Sequence, residues 1–100
     1  MGYGGSMTPE GKVKARVKQI LKEVSAYYVM PATGGFGNSG APDFLICKDG
    51  KFYGIECKAR GNQPTALQLS HLTKIRECGG VALVIDETNV ETLRKELNHG

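Results

Sequence analysis

The chain has no apolar run approaching the roughly 18 residues of a membrane-spanning helix, and no charged segment followed by an apolar one opens it as a secretory signal would. A soluble, cytoplasmic protein that touches no membrane is expected. Cysteine is scarce. Cys47, Cys57 and Cys78 are odd in number and widely separated, which fits neither a disulfide framework nor the close pairs of a zinc site. Reduced, mostly buried thiols are expected instead. Internal repeats and low-complexity segments are absent, and so is a strong excess of one charge: the formal net charge is only +3, too small to name a partner by itself.

What is present suits one compact globular domain. Hydrophobic residues fill 40% and charged residues 23% of the 100 positions, too apolar a balance for disorder. Met1 to Ser6 shows no periodicity and precedes a second methionine, so it is read as an expression-tag remnant, with a single domain over 7–100. Lys12, Lys14, Arg16, Lys18 and Lys22 crowd one short stretch, where the phosphates of a nucleic acid could be held. A solvated helix face is the plainer alternative for them.

Thr8-Pro9 reads as a helix cap with proline at the first helical position, and Val13, Val17, Ile20, Leu21 and Val24 repeat at helical spacing. A helix over Pro9 to Val24 is predicted, then a strand over Ala26 to Met30 and a glycine-rich loop from Pro31 to Pro42. Asp49-Gly50 is a hairpin signal that joins strands over Asp43 to Lys48 and Lys51 to Lys58. Thr65 should cap a second helix that stops at Gly79-Gly80. Val81 to Ile85 should be a buried strand, and Asn89 to Leu97 a last helix.

A two-residue turn at Asp49-Gly50 makes Lys48 face Lys51, and the same register sets Asp43 directly opposite Glu56. Like charges so paired destabilise a sheet. A hard divalent cation, which takes one or two carboxylates, would offset that repulsion. Alternation puts Lys58 on the face of Glu56, with Phe44, Ile46, Tyr53 and Ile55 on the other. Glu10 falls within the apolar stripe of the first helix and should look inward, unless it only answers the helix dipole. Gln68 falls at the centre of an apolar arc formed by Leu67, Leu69, Leu72, Ile75 and Cys78. A polar amide there needs a partner, and the carboxylate cluster would supply one. His71, near this arc, is a packed residue or at most a supporting one.

Gly35 to Gly40 matches G-x-G-x-x-G, but that fingerprint must follow a strand and open a helix, whereas Pro42 and a β-rich run follow here. No lysine completes a phosphate-binding loop either. A nucleotide-binding protein is therefore excluded, and a loop bordering the site that lets a nucleic-acid backbone approach closely is the remaining functional sense of the glycines.

Pro42-Asp43, followed by Glu56-Cys57-Lys58, resembles the signature of the PD-(D/E)XK nuclease superfamily. Together with Gly40-Ala41, a Gln68 that opens a helix, and Cys78-Gly79-Gly80 before an apolar strand, it is similar to the VRR-NUC family, the virus-type replication-repair nucleases. The resemblance implies an α/β fold with a mixed four-stranded sheet flanked by helices in the order αβββαβα. It implies that Asp43, Glu56 and the backbone carbonyl of Cys57 bind Mg²⁺ or Mn²⁺, that Lys58 orients or activates the attacking water, and that Glu10 and Gln68 complete the site.

The activity so implied is metal-dependent hydrolysis of DNA phosphodiesters, with Lys12, Lys14, Arg16, Lys18 and Lys22 on the phosphates. Single-domain members resemble dimeric junction resolvases, so a homodimer acting on branched DNA such as a four-way (Holliday) junction is expected. DNA repair, or phage replication inside a host cell, would be its setting. The rival from another class is a nucleic-acid-binding module that has the fold without catalysis.

Overall fold

The computed structural model describes residues 7–32 and 40–98. The expected tag remnant at Met1 to Ser6 and most of the glycine loop lie outside the described residues. Helix α1 (Pro9–Glu23) is followed by strands β1 (Tyr27–Val29), β2 (Phe44–Lys48) and β3 (Lys51–Cys57). Helix α2 (Ala66–Glu77), strand β4 (Val81–Ile85), a 3-10 turn (Val90–Thr92) and helix α3 (Leu93–Asn98) complete the chain. The strands form one sheet in the order β1-β2-β3-β4, antiparallel except for the parallel pair β3 and β4. This is the mixed, helix-flanked sheet that the sequence predicts, with the final helix shortened by a 3-10 turn.

The α1 start follows from Thr8, whose hydroxyl accepts from the Gly11 amide, with Pro9 at the first turn. The helix ends where Ser25 takes the left-handed conformation at φ 59. There the Ser25 amide bonds the Lys22 carbonyl and the Ala26 amide bonds that of Leu21, a pairing that closes a helix C-terminus. Serine carries a steric cost at such a φ that glycine does not. Ser25→Gly should therefore stabilise the fold by about 0.5–1 kcal/mol, read as a higher urea midpoint at unchanged slope. The hairpin turn has the same logic twice over: Asp49 and Gly50 sit at φ 52 and 79, the pair of positive values that a two-residue turn needs.

Alternation along the strands divides the sheet into two faces. Phe44, Ile46, Tyr53, Ile55, Cys57 and Ile85 pack with Val13, Val17, Ile20 and Leu21 of α1 and with Val90, Leu93 and Leu97 near the C-terminus. Helix α2 lies on the opposite face, over β3 and β4. Its approach is close: a Cβ on Gly54 would stand 2.5 Å from the Ile75 side chain and 3.3 Å from Pro42. Leu72 is the buried residue of this helix, while Leu67 and Leu69 are exposed. The apolar arc expected on α2 is thus narrower than its sequence suggests. The thiols also depart from expectation, since Cys57 alone is buried and Cys47 and Cys78 are free and exposed.

Candidate active site

The hairpin register runs from Lys48 opposite Lys51 to Phe44 opposite Ile55, so the next step along the ladder brings Asp43 beside Glu56. Asp43 lies just before β2, and its Oδ2 accepts from the Cys57 amide at 2.8 Å. That bond holds the carboxylate against the end of β3. Glu56 is the buried charged residue of the described chain, only 2% exposed. Burial first, then the charge of Asp43, push its carboxyl up to about 7. Lys58, with Nζ 3.7 Å from Glu56 Oε2, pulls in the other direction without prevailing.

Helix α1 closes the other side. Its Lys14 places Nζ 3.4 Å from Asp43 Oδ1 and 3.9 Å from Glu10 Oε2. Burial disfavours the Lys14 ammonium, yet Asp43 and then Glu10 outweigh that and raise it above the ordinary lysine value. Glu10 is partly exposed and acts on Glu56 through charge. Lys14 was expected only among the phosphate-binding residues. The signal for its place in the cluster was present, since it stands one helical turn after Glu10 and shares its face.

Gln68 is placed differently. Its Oε1 accepts from the Thr65 backbone amide at 2.9 Å, while its backbone N–H donates to Thr65 Oγ1 at 3.2 Å, a reciprocal cap at the start of α2. The partner that this amide required is thus its own helix end. Of the basic residues, Arg16 is committed to a two-pronged pair with Glu91 at 2.7 and 2.8 Å, with Glu23 3.8 Å away. It ties α1 to the C-terminal turn. Lys12, Lys18 and Lys22 have no carboxylate within ion-pair distance among the described residues.

Among the described residues no three His, Cys, Asp or Glu side chains gather as a ready-made metal cage. Two adjacent carboxylates, one buried and held towards its protonated form by the other, are nonetheless a donor set that a divalent cation fits. Mg²⁺ is commonly held by one or two carboxylates and completes its shell with water and phosphate oxygens. The Cys57 thiol is no competing ligand, since burial, and next Asp43 and Glu56, push it far above the range in which a thiolate forms.

No protein-family model matches the chain. Over 63 residues it is 32% identical to "Putative nuclease p44" of Acyrthosiphon pisum secondary endosymbiont phage 1, a match that spans 62% of this chain and 68% of that protein. Among solved structures, a "VRR_NUC domain" superposes with a TM-score of 0.71 at 24% identity, covering 89% of this chain and 97% of the other. At that identity the superposition speaks for the fold.

Proposed function

The chain belongs to the nuclease family of that phage protein and carries a VRR-NUC fold, and from this premise we propose that it is a metal-dependent endonuclease acting on branched DNA. The observation that carries this reading is the side-by-side placement of Asp43 and the buried Glu56 with Lys58 beside them. Asp43, Glu56 and the Cys57 carbonyl are the groups that would hold Mg²⁺ or Mn²⁺. Such a cation, when bound, polarises the phosphate and makes water more acidic.

The chain's own residues supply the remainder. The Cys57 amide keeps Asp43 aimed at the site. Lys58 would place a positive charge where the attacking oxygen and the oxygens of the pentacoordinate phosphorus gather negative charge, which favours the transition state over the ground state. Glu10 adds a third negative charge that draws a cation in. The reciprocal cap leaves Gln68 the work of setting the start of α2, with only its amide nitrogen free of that cap for the substrate.

Resolving a four-way junction takes two cuts on strands related by symmetry, which a two-fold dimer presents without any added domain. Exposed Tyr27 and Val29 on β1 would serve in such an interface. Val90, only 7% exposed, belongs to the core and offers no such surface. No helix among the described residues is long and apolar enough to cross a membrane, and action on DNA inside a cell, a phage host included, agrees with that.

Cleavage of labelled junction, flap, single-stranded and linear duplex DNA in Mg²⁺, Mn²⁺ or chelator, with light scattering on the same sample, tests the proposal. Metal-dependent cutting that favours the junction, by a dimer, is the expected result. Binding without cleavage in either metal would overturn it. Phosphate contact is assigned to Lys12, Lys18 and Lys22. Replacing two of these by alanine should weaken all DNA substrates alike and reduce the salt slope by about one unit per lost contact. Arg16→Ala should instead lower thermal stability by unlinking Glu91.

A further inference from the structure

Lys14 is held by the same carboxylate that the proposed function assigns to a metal. Its Nζ lies 3.4 Å from Asp43 Oδ1, on the side away from the Cys57 amide that occupies Oδ2. A cation taking an Asp43 oxygen would therefore meet a positive charge already in place. Two charges of one sign at that separation repel in a partly desolvated site. Lys14 also has somewhere to go. It lines an open cleft of about 460 Å³ formed with Thr8, Glu10, Gly11, Ala59 and Asn62, between the start of α1 and the chain leaving β3. The side chain is 37% exposed, so it can swing into that cleft without moving the helix. Apart from Glu10, the residues shaping the cleft carry no negative charge, which leaves room beside Lys14 for the phosphodiester of a strand that continues out of the site.

We propose that Lys14 is an exchangeable counter-ion: it holds Asp43 in the metal-free protein, gives up that carboxylate when a divalent cation is bound, and turns into the adjoining cleft to meet a backbone phosphate of the substrate strand. The inference rests on Asp43 as a metal ligand. It extends that assignment by giving the enzyme a reason to grip DNA more firmly once metal is loaded.

The test needs no cleavage. The full chain is treated briefly with acetic anhydride, and acetylation of Lys14 and of Lys51, an exposed lysine at the hairpin turn, is followed by peptide mass spectrometry in chelator, in Mg²⁺, and in Ca²⁺ with a junction whose central linkages are phosphorothioates. Acetylation of Lys14 relative to Lys51 should rise about five-fold on adding Mg²⁺, as expected when one close ion pair is released, and fall again when the DNA is bound. In parallel, calorimetry should show Mg²⁺ binding Lys14→Met about five-fold more tightly than the parent, and not binding Asp43→Asn.

If calorimetry finds Mg²⁺ bound through Asp43 while Lys14 labelling stays constant and Lys14→Met leaves the affinity unchanged, the counter-ion role is wrong and the metal site stands. If Asp43→Asn binds Mg²⁺ as the parent does, the metal-site assignment fails and takes this inference with it. Protection of Lys14 by DNA in chelator to the same degree as with metal overturns the exchange itself.

Discussion

Glu56→Gln should leave a more stable protein that no longer cuts DNA. Burial and Asp43 push the Glu56 carboxyl from its ordinary value of 4.5 to about 7 in the folded chain. The folded state therefore holds this proton more tightly than the unfolded state does. Stability from the group is complete below about pH 4.5 and is lost as pH rises through 7, in the metal-free protein, by an amount near 3 kcal/mol. A neutral amide of the same shape removes that slope, so urea unfolding in chelator should show the variant ahead of the parent at pH 8 and level with it at pH 4.

Metal should stabilise the two proteins unequally. Mg²⁺ relieves the charge of Glu56 in the parent and raises its melting temperature at pH 8, whereas the variant lacks the ligand and should gain little. Loss of the carboxylate should lower single-turnover cleavage by about a thousand-fold or more, several kcal/mol of transition-state stabilisation. A variant that cleaves at the parental rate under matched metal would remove Glu56 from the site, and a variant no more stable at pH 8 would show that the buried carboxyl is relieved by other means.

Lys58→Met is expected to separate catalysis from metal binding. The ammonium cannot ligate a cation but can stabilise negative charge on the attacking oxygen or the phosphate, so the rate should fall about 100-fold or more. Metal affinity should hold or rise, because removing a positive charge 3.7 Å from Glu56 Oε2 leaves the pair of carboxylates more attractive to a cation. Calorimetric Mg²⁺ titration beside single-turnover rates measures both. A parallel collapse of affinity and rate would mean that Lys58 supports the metal site, and does not act on the reacting atoms.

Much of this molecule is legible in its sequence, and the reasons are local. The helix starts at Thr8 and Thr65, the turn at Asp49-Gly50 and the stop at Gly79 each depend on residues within a few positions of one another, and all appear where the sequence places them. The hairpin carried the site with it: once two residues form the turn, register alone sets Asp43 next to Glu56, and alternation alone sends Lys58 to the face of Glu56 and Phe44, Ile46, Tyr53 and Ile55 to the core.

What only the tertiary structure decided depends on which groups from distant segments meet. Glu10, one turn before Lys14, marks the face on which Lys14 lies but not its pairing with Asp43, and nothing near Arg16 says that Glu91 claims it, because those partners come from a strand end and a C-terminal turn far along the chain. The apolar arc of α2 marked a helix face without revealing which part of it meets the sheet: Leu72 is buried, whereas Leu67 and Leu69 are exposed. Gln68 shows the limit most plainly. Its need for a hydrogen-bond partner could be read from the pattern, but two partners were within reach, and the backbone amide three residues away competes with a carboxylate cluster across the fold at no cost in loop closure.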